Sequence, residues 1–255
     1  MISGVIGVID SGIGGLSVLK ELVGTLSGET FVYMGDNENV PYGDKSDRRL
    51  LSLVNDLTAV LSEYKPKCLI LACNTLSLTV REKLEEIIGV PVFGVFPPVE
   101  KAQMRGDRVL LIATGRTCGK YKNYQGISVM PCNTLAGEIE KNKFALNNID
   151  LDLIFNEKAI GVDTVILGCT HYEFIKNEIL DHFCAKTSLS GAVDTVKVVK
   201  AWLKGCKKSK KVSKNQIIFV GSSAKNNKKF WQEVVYKCKN SKKNRRNNKK
   251  FSKSG

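Results

Sequence analysis

Lys67-Cys-Leu-Ile-Leu-Ala-Cys73-Asn-Thr75 and Asp163-Thr-Val-Ile-Leu-Gly-Cys169-Thr-His171 align without a gap. Each is an aliphatic run closed by a small residue and a cysteine, then polar groups. Short runs that are apolar at nearly every position and end in turn residues read as parallel strands buried on both faces. Similar runs stand at Val5 to Ile9, Phe31 to Met34, Val92 to Val95, Val109 to Ala113 and Ile217 to Val220. Helix-like stretches separate them: Gly15 to Leu26, Asp47 to Tyr64, Ser77 to Ile88, Asn133 to Asn142, Glu173 to Phe183 and Ala192 to Leu203. The alternation predicts an α/β fold with mostly parallel sheets.

The alignment of the two cysteine segments also predicts two similar halves. Val5 to Asp10 matches Val109 to Thr114, again a strand leading to a polar residue. We expect a first α/β domain built from residues 1–95 and 191–236, a second from 96–190, and a tail at 237–255. In open α/β sheets, ligands bind beyond the carboxyl ends of the strands, where Cys73 and Cys169 both fall. If the halves face each other about a pseudo-two-fold axis, the active site lies in the cleft between them and the thiols meet there from opposite sides.

That placement suits inversion of a stereocentre. One group must remove a proton and another must return one on the opposite face. A thiol whose pKa of about 8.5 is lowered by a polar site supplies the base, and a protonated partner supplies the acid. An amino-acid α-proton is weakly acidic, so donors must also meet the charge that builds on the carboxylate. Asn74, Thr75 and Thr170 follow the cysteines where such donors are needed. His171 is placed to help Cys169, and Asp10 to help Cys73 or to hold a substrate ammonium. A lone strand-end cysteine is ordinarily a small core hydrophobe, and Cys68, Cys118, Cys132, Cys184, Cys206, Cys238 and His182 keep that structural reading.

Composition narrows the alternatives. Eight cysteines without a CxxC pair, and only two histidines, argue against a disulfide framework and a zinc site. No apolar run is long enough to span a bilayer, and the start lacks a signal-peptide pattern, so we expect a soluble, cytoplasmic protein. The net charge of +14 is local: residues 197–255 hold 20 Lys or Arg against one acid, whereas the first 196 hold 19 against 24. The tail from Lys237 is nearly all Lys, Arg, Asn and Ser, a composition that does not order itself. It carries weak attraction to polyanions, but Phe251 is its one aromatic residue, so nucleic-acid binding by stacking has little to work with.

Asp10-Ser-Gly-Ile-Gly-Gly15 is an incomplete dinucleotide fingerprint, since Ser17 stands where the third glycine belongs. The glycines allow a tight turn and close approach of backbone to a small ligand. Val40-Pro41-Tyr42-Gly43 reads locally as a turn.

The chain resembles the glutamate racemases of the aspartate/glutamate racemase superfamily. The matching segments are IGVIDSGIGGLSVLKEL at 6–22, YMGDNENVPYGDKS at 33–46, LILACNT at 69–75, VFGVFPPV at 92–99, IATGRT at 112–117 and VILGCTHY at 165–172. The resemblance implies two facing α/β domains, frequent homodimers, and chemistry without pyridoxal phosphate, metal or nucleotide. It implies interconversion of L- and D-glutamate, supplying D-glutamate for peptidoglycan. Carried over motif by motif, Cys73 and Cys169 are the acid/base pair, assisted by Asp10 and His171. Ser11, Pro41, Tyr42, Gly43, Asn74, Thr75, Thr114, Thr117 and Thr170 line the substrate pocket, and Glu140 matches a further assisting glutamate.

Departures from the family pattern bear on substrate choice. Leu76 and Leu78 stand where smaller residues are usual, Glu173 replaces a proline, and Leu189-Ser-Gly lacks an aspartate. A racemase for another amino acid such as aspartate is one alternative. A catalytically inactive relative whose basic tail binds nucleic acid is another.

Overall fold

Every strand pairing in the computed structural model, which describes residues 4–105, 108–155, 161–206 and 214–233, is parallel. Four strands come first: β1 (Val5–Asp10), β2 (Thr30–Gly35), β3 (Pro66–Leu71) and β4 (Val92–Gly94). Four more follow, β5 (Val109–Ala113), β6 (Ile127–Pro131), β7 (Thr164–Leu167) and β8 (Thr187–Leu189), and then β9 (Gln216–Phe219). The first sheet is ordered β4-β3-β1-β2-β9 and the second β6-β5-β7-β8. Read from its other edge, the second is β8-β7-β5-β6, which repeats the order of the first four strands. β9 is an addition beside β2.

The crossovers are helical: α1 (Gly15–Thr25), α2 (Asp47–Ser62), α3 (Asn74–Thr79), α4 (Arg81–Ile88), α5 (Val99–Gln103), α6 (Gly115–Tyr121), α7 (Leu135–Lys141), α8 (Leu151–Ile154), α9 (Lys176–His182) and α10 (Ala192–Gly205). Residues 224–233 form a further helix. Ser46 caps α2 through its hydroxyl, which accepts from the Arg49 amide, and Thr114 caps α6 by accepting from Thr117, as N-terminal Ser and Thr do. No helix among the described residues is long and apolar enough to cross a membrane.

Three buried clusters explain the arrangement. One joins the halves, combining Ile6, Val8, Leu16 and Leu19 with Leu110, Ile112, Val165, Tyr172 and Val196. The others line the opposite faces of the two sheets, around Ile9, Val32, Leu50 and Leu71, and around Val109, Leu111, Cys118 and Ile166. Strands covered on both sides need no polar alternation, which is why β1, β3, β5 and β7 read as unbroken apolar runs.

Several sequence expectations are corrected. The helix expected from Ser77 to Ile88 starts earlier and breaks at Val80, whose φ of −122° and ψ of −7° separate α3 from α4. The stretch expected to begin at Glu173 starts as a 3-10 turn over Thr170–Ile175 before α9. The edge strands β6 and β8 went unread. Matching Val5 to Asp10 with Val109 to Thr114 is off by one residue. Leu71 lies beside Ile9 and Leu167 beside Ile112. The amides of Ala72 and Gly168 donate to those same two carbonyls, each at 2.8 Å. Asp10 is therefore the counterpart of Ala113, and Ser11 that of Thr114. The tail expected at 237–255, with Cys238, lies outside the described residues.

Candidate active site

Cys73 and Cys169 each follow their strand by two residues, in extended backbone, and each precedes a helical turn. Cys73 is buried, 7% exposed, and Cys169 is part-exposed. Cys73 lies close enough to Cys169 to feel its charge. Burial pushes the Cys73 pKa well up, the Asp10 charge adds to that, and so does charge on Cys169, while the Leu76 amide and the Ser11 hydroxyl work the other way.

Cys169 has a histidine beside it. Its Sγ is 3.7 Å from His171 Nδ1, and His171 Nε2 is 2.9 Å from Glu140 Oε1. Burial opposes a charged ring, yet the hydrogen bonds to Cys169 and Glu140 hold the His171 pKa well above the ordinary imidazole value. Burial would likewise raise Glu140, but its hydrogen bond and charge pairing with His171, and donation from Ile13 and Asn37, keep it below the ordinary carboxylate value. Glu140, His171 and Cys169 thus form one line of proton-carrying groups. A carboxylate fixing the far nitrogen of an imidazole orients the ring toward the thiol.

Cys73 has a carboxylate instead. Asp10 is fully buried, and its Oδ2 accepts from Gly12 and Gly15 amides at 3.1 and 2.8 Å while Oδ1 has no protein partner. Burial raises its pKa to about 6, against the lowering effects of His171 and the two amides. A carboxyl group poised there exchanges protons near neutrality.

The glycine-rich turn makes both assemblies possible. A Cβ on Gly12 would fall 1.8 Å from Glu140 Oε1, and one on Gly14 would fall 2.4 Å from His171 Nδ1 and 2.6 Å from Thr170 Oγ1. Side chains there would displace the imidazole and its carboxylate, so glycine is required by close approach. Tyr33 fixes the turn by donating from its hydroxyl to the Gly12 carbonyl at 2.6 Å.

The remaining predicted residues gather around this centre. Ser11 faces Cys73. Thr75 Oγ1 lies 3.2 Å from Thr114 Oγ1, which in turn lies 3.2 Å from Thr117 Oγ1, a row of hydroxyls spanning the two halves. Asn74 and Thr170 are buried, and Asn74 Oδ1 has no protein partner. Tyr42 is buried with its hydroxyl donating to Asp36 Oδ2 at 2.6 Å. Burial, the Asp36 contact and the charges of Cys73 and Asp10 raise its pKa. Pro41 follows a cis peptide bond. A Cβ on Gly43 would meet Thr114 Cβ at 2.7 Å, so this turn lies directly against the second half.

Sequence reasoning passed over Asp36 and Asn37. Asn37 donates to Glu140 Oε2 at 3.0 Å and Asp36 anchors Tyr42. The signal was present, since both follow β2 as Asp10 ends β1. Cys68, Cys118 and Cys132 are buried as expected, whereas Cys184 is exposed. His182 is taken up by Asp152, 3.0 Å away.

Comparison with known proteins places this arrangement. No protein-family model matches the chain. A glutamate racemase of Leptospira interrogans is 34% identical over 204 residues, 75% of this chain and 80% of its own. One of Buchnera aphidicola is 33% identical over 248 residues, 90% of this chain and 93% of its own. A solved glutamate racemase from Thermus thermophilus, in complex with β-chloro-D-alanine, matches with a TM-score of 0.72 at 28% identity, covering 91% of this chain and 93% of that one. With relatives this similar over most of their length, the chain belongs to the glutamate racemase family.

Proposed function

We propose that the protein interconverts L- and D-glutamate without a cofactor, with Cys73 and Cys169 as the acid/base pair. The observation that carries this reading is the placement of two thiols at equivalent strand ends, one in each half, with Cys169 near enough for its charge to act on Cys73. A thiolate takes the α-proton, breaking C–H and forming S–H; the opposite thiol gives its proton, forming C–H on the other face. The two sulfurs end with exchanged protonation states, so the reverse reaction uses the same groups in opposite roles.

The neighbours divide the remaining work. The His171–Glu140 pair sets the proton on Cys169, and Asp10 does so for Cys73. Charge building on the substrate carboxylate is met by the hydroxyl and amide groups of Asn74, Thr75 and Thr170, preorganised donors being the larger part of such catalysis. Ser11, Thr114, Thr117 and the Pro41-Tyr42-Gly43 turn complete the pocket. The division at 1–95 with 191–236 and at 96–190, supported by which strands share a sheet, makes this a cleft between domains. The product would feed peptidoglycan synthesis, and a homodimer in the cytoplasm fits the family.

The test is a panel of L-amino acids incubated with the purified protein and no added cofactor, followed by optical rotation. Rotation should vanish for L-glutamate. Constant rotation would reject the function, and faster loss for L-aspartate would reject the substrate.

A further inference from the structure

Arg116 takes no part in the chemistry described above, yet it makes two hydrogen bonds from the second half to the first. It is the second residue of α6, in the turn that carries Thr114 and Thr117. One guanidinium nitrogen donates to the Asp47 carboxylate at the start of α2, and another donates to the Lys45 carbonyl. Lys45 lies in the 36–46 loop that carries Pro41, Tyr42 and Gly43, and Asp47 directly follows the loop's last residue, Ser46. Two donors in one plane matched to two oxygens make a grip that arginine provides and lysine does not.

We propose that Arg116 is a positioning residue that latches the 36–46 loop to the second half and so sets how readily the cleft between the two thiols opens. This rests on the glutamate racemase reading for its effect on turnover, though not for its effect on access.

The loop is suited to be held this way. Tyr42 is its one buried side chain among eleven, so little apolar burial keeps it down, and segments of that kind open at low cost. Its contacts with the second half are polar or steric: Asn37 to Glu140 at one end, Gly43 against Thr114 in the middle, and Arg116 at the other end. Tyr42 of the loop packs in the same buried cluster as Cys73, and Cys73 and Asp10 are nearly or wholly buried, so freeing the loop uncovers that side of the site. The Arg116 and Asp47 side chains are 26% and 69% exposed. Water and salt therefore reach the pair, and losing it frees the loop without undoing either core.

The experiment has two readouts on the full chain. Alkylation of Cys73 and Cys169 by iodoacetamide, followed by peptide mass spectrometry, reports access without requiring turnover. Glutamate racemisation gives KM and kcat. Arg116→Ala should speed alkylation of both thiols and raise KM by about fivefold, the upper end for a solvated ion pair, with a smaller change in kcat. Arg116→Lys should resemble Arg116→Ala because the fork is lost. Asp47→Asn, an exposed change that leaves Arg116 in place, should move both readouts the same way by less, and decides the matter if the arginine variants do not fold. High salt should speed alkylation of the wild type and leave Arg116→Ala unchanged.

Alkylation and KM unchanged in Arg116→Ala and Asp47→Asn would overturn the latch while leaving the racemase standing. Faster alkylation in a protein that never racemises glutamate would support the latch and reject the racemase.

Discussion

The two thiols occupy the same place in two copies of one strand order, but their surroundings differ. Beside Cys73 stands a buried carboxylate, Asp10, whose counterpart in the second half is Ala113. Next to Cys169 stands His171, whose counterpart after Cys73 is Thr75, and Glu140 reaches that histidine from α7. The backbone repeat thus places the two sulfurs at equivalent strand ends, and residues outside the repeat give each a different ionisable neighbour. Ser11 and Thr114 are matched hydroxyls, so the symmetry of the two halves extends to these groups but not to the ionisable ones. A pseudo-symmetric site working on the two mirror forms of one small molecule needs equal reach from both sides, not identical chemistry.

The largest expected effect tests the shared part of this comparison. Cys73→Ser and Cys169→Ser should each lower racemisation by roughly 10³-fold, because general acid–base steps carry effects of that size and a hydroxyl is a poor proton carrier here. Circular dichroism of glutamate over time reads the rate, and full activity in either variant would contradict two-base transfer.

The unshared part comes next. His171→Asn should cost roughly 10²-fold and should raise the α-deuterium isotope effect for one enantiomer more than for the other, since only the Cys169 side loses its partner. Equal changes in both directions would mean that His171 serves the whole site.

Glu140→Gln should act more mildly, by about tenfold, because it removes the charge that holds the ring but leaves the imidazole. Glu140 raises the His171 pKa, so its loss should shift any limb of the pH–rate profile that belongs to His171 toward lower pH. An unmoved profile would confine Glu140 to packing. The stability gained from a protonated His171 is complete below an ordinary histidine pKa of about 6.5 and is lost only as pH climbs through the raised value.

Asp10→Asn is read on stability, and its effect there has the opposite sign. A buried carboxyl raised to about 6 costs stability at neutral pH, because the unfolded chain solvates that charge better. The variant should gain roughly 1–3 kcal/mol at pH 7 while losing activity. For the wild type, the Asp10 contribution to stability should improve as pH falls from about 6 toward an ordinary carboxylate value of about 4. Thermal melts of both proteins across that range check the sign, and a less stable Asp10→Asn would refute the assignment.

Much of this was legible in the sequence where burial is two-sided. β1, β3, β5 and β7 are covered on both faces and so announce themselves as apolar runs closed by small or polar residues. β6 and β8 are edge strands, and the serines within Ile127-Ser-Val-Met-Pro131 and Thr187-Ser-Leu189 break the apolar run that marks a strand covered on both faces. Val80 ends a helix through its own backbone angles, which no periodicity foretold. Within the site, both cysteines, Asp10 and His171 were visible as strand-end residues. The meeting of Glu140 with His171, of Asn37 with Glu140 and of Arg116 with Asp47 was not, because each is a contact between residues distant in sequence, set by how the halves face each other. The one-residue offset that leaves Asp10 without a counterpart was hidden for the same reason: strand register is a property of hydrogen bonds between segments.

The most direct test of opposed thiols follows solvent hydrogen early in the reaction. L-glutamate with hydrogen at the α-carbon is incubated in D₂O and stopped after a few per cent conversion, and the two enantiomers are separated and weighed by mass spectrometry. Removal by one sulfur and return by the other predicts deuterium in essentially every D-glutamate molecule and almost none in the remaining L-glutamate. Appreciable protium carried into D-glutamate would mean that one group both takes and returns the proton, and the account built on Cys73 and Cys169 facing each other would fail.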